Sequence, residues 1–408
     1  MRRRVPSGTP TQLLTTRHAA AVAPGLSDAG ACHAGAPVGA CTLGGLFRFD
    51  PFDAYAEGLV TSPNLLVAGQ IGRGKSALVK TLLARSLTRG RRCVIVDPKG
   101  EYGPFAEAMG ATPITLEPGG RTRLNPLAGS PDDPGRLALL CALVASGLER
   151  RLAPTERAAL EVALLDADAV GCSTLSGVLR ELLDPASSAA AALGTTPEAL
   201  ARESRAAALE LRRLVSGELR GMFDGETSAD VDLDGDVVVF DVSAAVRSGA
   251  LPVVLSCAAA ALEAARQGAR TSRTILVLDE AWSLLSNEGA ARWLQSGFKL
   301  ARARGVAHVL VLHRLSDLGA AGATGSVTAS IATGLLRDVE TAILFAQPPA
   351  EAEALGTMLG LTRAECDVVA RLPRAAALWR VGAARSVVRH AISPSDLSFV
   401  DTDEAMRG

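Results

Sequence analysis

Asn64-Leu-Leu-Val-Ala68, then Gly69-Gln-Ile-Gly-Arg-Gly-Lys75-Ser76, then Ser76-Ala-Leu-Val-Lys-Thr-Leu-Leu-Ala-Arg85: this stretch decides the fold. A short apolar run closes on glycine, and a segment with helical apolar spacing follows. Between them lies the pattern G-x-x-x-x-G-K-[ST], in the strand-to-helix setting that its mechanism requires. The glycines let the backbone curl so that successive N–H groups converge on phosphate oxygens, and the following helix adds the positive end of its dipole. Residues Gly69, Gln70, Ile71, Gly72, Arg73, Gly74, Lys75, Ser76 and Ala77 are therefore expected to hold a nucleotide. Lys75 is expected to reach the β and γ phosphates, and Ser76 to give its hydroxyl to Mg²⁺.

Working outward, Cys93-Val-Ile-Val-Asp97 reads as a buried strand. Strand, helix, strand in this order predicts a βαβ unit and a parallel sheet. Asp236–Asp241, Thr274–Asp279, Ala307–Leu312 and Thr341–Phe345 read as further strands, and Ala376–Val381 with Val387–Ile392 as a terminal hairpin. Between about 134 and 222 the composition turns to Ala, Leu, Arg and Glu with helical periodicity, divided by Pro134, Pro154, Pro185 and Pro197. The expected organisation is an irregular arm over 1–44, a first part of the core over 45–133, an all-α insertion over 134–225, and a second part with hairpin and tail over 226–408. The fold class is α/β.

Thr274-Ile-Leu-Val-Leu-Asp279-Glu280 is an apolar run closed by two carboxylates. At the C-terminal edge of a parallel strand such side chains face the ligand crevice. Asp279 is the expected Mg²⁺ partner, and Glu280 the residue that orients the attacking water, which separates hydrolysis from binding alone.

Composition removes other classes. With 42 basic and 43 acidic residues the formal net charge is −1, which gives no global field for nucleic acid. Nine Phe, three Trp and two Tyr argue against a stacking platform for single strands as the main device. The seven cysteines are scattered without a C-x-x-C pair, and Cys32, His33 and Cys41 lack a fourth ligand, so neither a disulfide scaffold nor a zinc site is expected. Met1–Val5 is basic but no apolar segment follows it, and the longest apolar stretch, Leu251–Leu262, is too short to span a bilayer. A reducing, cytoplasmic setting is expected, with any membrane role coming through partners. Only four lysines occur, at 75, 80, 99 and 299, the other basic residues being arginine.

Asp97-Pro-Lys-Gly-Glu-Tyr102 resembles the D-P-x-G-E-Y element of the HerA-FtsK superfamily of pumping ATPases. Leu124-Asn-Pro-Leu127, Gly221-Met-Phe-Asp-Gly225, Leu278-Asp-Glu-Ala-Trp282 and Asp401-Thr-Asp403 bring the chain nearest the VirB/TraC-like ATPases of type IV secretion and conjugative transfer, over about 47–403. The resemblance implies a RecA-like core, ATP with Mg²⁺, and a homohexameric ring with nucleotide between neighbours. It also implies an arginine donated across that interface, resembling Arg302, with Arg304 the second choice. The implied partners are further copies of the chain, components of a secretion or conjugation channel and, in one variant, DNA, at the inner face of a membrane but not inserted in it.

Two departures stand out. His313 occupies the place where the family carries a glutamine that senses the γ-phosphate; histidine still donates a hydrogen bond there and, protonated, adds charge. Family members carry a sizeable docking domain before the motor, whereas only about 45 residues precede it here; whether a separate protein supplies that domain stays open at this point. Asp97, Lys99 and Glu101 read either as part of the nucleotide or subunit interface or as a structural turn built on Pro98 and Gly100. Besides a secretion motor, two readings stay open: a DNA translocase using the arginines near 202–220 and 371–389, and a nucleotide-binding scaffold with little turnover.

Overall fold

The computed structural model describes residues 35–42, 44–148, 150–246, 253–254, 257–258, 273–281, 285, 288–313 and 327–400. Cys32, His33, the Leu251–Leu262 run as a whole, Trp282 and Asp401–Asp403 lie outside them. Eleven strands form one sheet: β1 (Ala36–Cys41), β2 (Leu46–Phe49), β3 (Leu65–Ala68), β4 (Arg92–Asp97), β5 (Ile114–Thr115), β6 (Val237–Asp241), β7 (Thr274–Leu278), β8 (Val306–Leu312), β9 (Thr341–Phe345), β10 (Ala376–Val381) and β11 (Ala384–His390). Their order is β2-β1-β11-β10-β9-β3-β8-β7-β4-β6-β5. From β9 to β5 every pairing is parallel, whereas β10, β11, β1 and β2 extend the β9 side antiparallel.

The central strands are apolar on both faces, as a sheet covered by helices on both sides demands. Alternate residues serve two separate cores. Leu66, Ala68, Val94, Val96, Leu276, Leu278, Leu310 and Leu344 face one; Leu65, Val67, Cys93, Ile95, Ile275, Val277, Val309 and Ile343 face the other. The helix Lys75–Leu87 covers the second face through Leu78, Val79, Leu82 and Leu83. Six helices between Pro134 and Val215 cover the first face, and their Leu140, Leu160, Val178 and Leu211 belong to the same apolar cluster as the strands. They are a layer on the sheet, sharing its core.

A buried ion pair ties this layer together. Arg136 at the start of the helix Pro134–Gly147 holds Asp168 in a bidentate contact of 2.7 and 2.8 Å, and its Nε donates to the Leu127 carbonyl. Arg136→Met would strand a carboxylate that is only 8% exposed. The expected loss is about 3–5 kcal/mol of stability, read from urea unfolding; a loss below about 1 kcal/mol would contradict that role.

One reading of the sequence needs correction. The irregular arm does not extend to residue 44, because β1 lies at Ala36–Cys41 and pairs with both β2 and β11. Its small residues, read as irregularity, serve close approach. A Cβ at Gly39 would lie 2.1 Å from the Arg389 carbonyl oxygen, and one at Gly35 would lie 2.3 Å from the Phe49 backbone. Phe47 and Phe49 on β2 pack their rings on Trp379 of β10 at 4.9 and 5.1 Å, which closes this end of the core.

Candidate active site

The parallel strands β3, β4, β7, β8 and β9 end at one sheet edge, and their last residues lead into every group of the site except Arg302. After β3, the loop Gly69–Gly74 turns with Gly72 and Gly74 at φ +75° and +107°. Gly69 passes so close to β9 that a Cβ there would meet the Phe345 Cβ at 2.4 Å. The Gly69 N–H donates to the Leu312 carbonyl and the Gln70 N–H to the Ala346 carbonyl, which fixes the loop over the ends of β8 and β9. Gly74 caps the helix Lys75–Leu87 in the left-handed conformation and with no side-chain hydrogen bond, so the first amides of that helix are not consumed by a capping side chain. Positive-φ glycines and an uncapped helix start are features that a phosphate-holding loop requires.

Lys75 is buried, and its ammonium donates to the Gly69 and Gln70 carbonyls. Burial first, and then the charge of Lys99, pull its pKa down to about 8. A bound polyphosphate favours the ammonium and raises that pKa again. Above pH 8, therefore, nucleotide binding must take up a proton, and affinity should fall by up to tenfold per pH unit. Calorimetric titrations from pH 7 to 9.5 check this; an unchanged affinity across that range would contradict it.

Asp279 follows β7 and is buried at 2% exposure. Its Oδ1 accepts the Glu280 N–H at 2.9 Å, and its Oδ2 has no hydrogen-bond partner among the described residues. Burial holds its pKa above the ordinary carboxylate value. A buried carboxylate oxygen without a donor suits a hard divalent cation, which would supply the missing positive charge. Asp279, with the Ser76 hydroxyl at the start of the neighbouring helix, is the fitting donor set for Mg²⁺, and that ion would neutralise charge on phosphate oxygens when bound. No group of three or more His, Cys, Asp or Glu among the described residues forms a separate metal site.

Glu280 sits at φ +52°, a left-handed conformation that non-glycine residues seldom adopt and that clusters at functional sites. Its Oε1 lies 2.8 Å from His313 Nε2 and 2.5 Å from Lys99 Nζ. Burial pushes the Glu280 carboxyl up, but hydrogen bonds from His313 and Lys99, with the Lys99 charge, more than offset it and bring the pKa to about 2. His313 directly follows β8, and the Gln347 side chain donates to its carbonyl at 3.2 Å. His313 is thus at the carboxylate, as the sequence places it after the strand.

The Asp97–Tyr102 turn contributes two different things. Asp97 is buried and caps the turn: Oδ1 accepts from the Lys99 and Gly100 N–H groups, and Oδ2 from the Tyr102 N–H, at 2.8–3.0 Å. Burial dominates over those donors and lifts its pKa to about 6. For Asp97 the structural reading holds. For Lys99 it does not, since its ammonium reaches the site.

Arg302 is not brought to these groups. It lies exposed near the end of the helix Glu288–Arg304, beside Gly305, whose carbonyl accepts the Thr274 N–H at the opposite end of β7. The seven residues of β8 separate it from the phosphate loop, roughly 20 Å at about 3.3 Å per residue. Within one chain Arg302 does not serve its own phosphate loop, and Arg304 shares its edge. Sequence reading left Lys99 open between an interface role and a structural turn, and it missed Gln347, whose signal was a polar residue two places after the apolar Thr341–Phe345 strand.

These features define a P-loop NTPase fold, with the phosphate loop and two acidic residues at one edge of a mostly parallel sheet. Residues 56–123 match the AAA-like domain family. Among solved structures, VirB4 of Thermoanaerobacter pseudethanolicus is similar at TM-score 0.73 and 24% identity, over 91% of this chain and 99% of that one. The plasmid coupling protein TrwB in complex with ADP and Mg²⁺ is similar at TM-score 0.58 and 18% identity, over 84% and 87%. The same protein with a non-hydrolysable GTP analogue gives 0.54 and 19%, over 81% and 86%. No curated protein sequence matches the chain significantly. No helix among the described residues is long and apolar enough to cross a membrane.

Proposed function

We propose that the chain is an ATP-hydrolysing motor of a type IV secretion or conjugative-transfer apparatus, working as a homohexameric ring against channel components at the inner face of a membrane. The observation that carries the reading is the convergence of the phosphate loop, Lys75, Asp279 and Glu280 at one sheet edge, in a fold similar to VirB4 over nearly the full length of both chains. A loop that only bound nucleotide would have no need of an ionised carboxylate held in a strained backbone beside the buried Asp279.

In this reading the loop amides and Lys75 hold the β and γ phosphates. Glu280 accepts a hydrogen bond from a water and directs its oxygen at the γ-phosphorus. The P–O bond to the leaving ADP breaks as the bond to water forms, and the proton the water gives up ends on the product phosphate. Because the transition state is loose, orienting the water counts for more than the strength of the base. A carboxylate with a pKa near 2 is therefore adequate. Arg302, exposed at the opposite edge of the sheet, suits donation to a neighbouring copy.

The DNA-translocase reading loses ground on particular arginines. Arg380 is buried and donates to the Leu359 and Val339 carbonyls, Arg385 pairs with Glu365, and Arg213 pairs with Glu210 and Glu218. Three of the ten arginines in those segments are thus spent internally, while Arg202, Arg205, Arg212, Arg220, Arg371 and Arg389 stay exposed. The test is phosphate release from Mg–ATP, with mass determination in the presence and absence of a non-hydrolysable analogue. Magnesium-dependent turnover and a nucleotide-dependent assembly are expected. Background release, or a monomer under all conditions, would overturn the motor.

A further inference from the structure

Lys99 has no part in the phosphate loop or in the acidic motif, yet its ammonium lies on the carboxylate assigned to hydrolysis. β4 and β7 are parallel neighbours in a register that pairs Val96 with Leu278, so the residues just beyond each strand leave the same edge side by side. Lys99 stands three residues past Val96, and Glu280 two past Leu278. We propose that Lys99 is a positioning residue for ATP hydrolysis, holding the Glu280 carboxylate in the one orientation that aligns the attacking water. This rests on the hydrolytic reading of Glu280 and extends it to a residue on a different strand.

Three observations support it. First, the turn carrying Lys99 is itself fixed. Asp97 accepts three of its backbone N–H groups, Gly100 adopts φ +72°, the Tyr102 ring is buried, and the buried Lys80 ammonium donates to the Glu101 carbonyl at 2.7 Å. The backbone that carries Lys99 is thus held in place, and its side chain, 28% exposed, reaches from that fixed point to the carboxylate. Second, Glu280 has an unusual backbone conformation at φ +52°. The chain thus fixes both ends of the contact.

Third, the His313 contact depends on its tautomer, whereas the Lys99 contact does not. Its Nε2 lies 2.8 Å from both Lys99 Nζ and Glu280 Oε1. One ring nitrogen cannot accept from the ammonium and donate to the carboxylate at the same time. The 2.5 Å Lys99–Glu280 ion pair is compatible with either tautomer. With Oε1 held, the direction of the second carboxylate oxygen is set. Consistent with this, the Lys99 pKa lies above its ordinary value although burial opposes it, because the Asp279 and Glu280 charges prevail.

Wild type, Lys99→Met, Lys99→Arg, Glu280→Gln and the Lys99→Met/Glu280→Gln double variant test it by steady-state phosphate release. Lys99→Met is expected to lower kcat about 10–100-fold with KM within about threefold. Lys99→Arg should recover most of that loss, and the double variant should match Glu280→Gln. A second readout needs no turnover. With only four lysines, nucleotide-free protein carrying ¹⁵N-lysine gives few ammonium signals, and the one lost in Lys99→Met should shift in Glu280→Gln. A kcat for Lys99→Met within twofold of wild type or above it, or a further fall in the double variant, overturns the inference. Turnover without the ammonium shift overturns it alone, whereas the shift without any wild-type turnover overturns the hydrolytic reading together with it.

Discussion

Glu280→Gln is expected to reduce phosphate release by about 10²–10³-fold while leaving nucleotide affinity within a few-fold of wild type. The glutamine keeps the size of the side chain but loses the charge that pairs with Lys99 and the acceptor strength that orients water. Since the phosphate loop and Lys75 are untouched, nucleotide should still bind and any nucleotide-dependent assembly should persist, now trapped. Single-turnover and steady-state measurements should fall together, because the defect lies in the chemical step. If both rates stay near wild type, Glu280 is not the hydrolytic residue, whatever its backbone conformation.

Arg302→Ala should have an effect at least as large. An arginine that neutralises charge on the transferring phosphoryl group is worth about 10³–10⁵ in rate when supplied by a neighbour. The position of Arg302 sharpens the test, since it sits exposed at the edge of the sheet away from its own phosphate loop. Mixing inactive Arg302→Ala with inactive Glu280→Gln should therefore restore activity, because some interfaces in a mixed ring combine an intact arginine with an intact glutamate. Mixed samples that stay at the level of the separate variants would move the role to Arg304 or remove it from this helix. An Arg302→Ala protein with full activity would do the same.

The sequence disclosed those parts of the molecule whose chemistry is local in the chain. Gly69–Ser76 needs only a strand before it and a helix after it, and both are visible as short-range apolar patterns. Asp279 and Glu280 are legible for the same reason, as polar residues that end a wholly apolar strand. Strand order was not legible, because β8 and β9 flank β3 through contacts between residues more than 230 positions apart. The Lys99–Glu280 contact follows from that order, through the adjacency of β4 and β7, and so motif reading left Lys99 unassigned. β1 escaped for the opposite reason. Its single glycine and two alanines carry no strand propensity, and its place is secured by close packing against β11 that only the tertiary structure reveals. The left-handed Glu280 likewise has no signature in composition or spacing.

The central claim is that Mg–ATP seats on the loop that ends at Ser76, with Lys75 on its phosphates. Isothermal calorimetry near neutral pH tests it most directly, comparing wild type with Lys75→Ala after both are shown to be folded. Wild type should give a saturable, magnesium-dependent heat, and Lys75→Ala should lose it at the same concentrations. No heat from folded wild type, or equal heat from both proteins, would contradict the account.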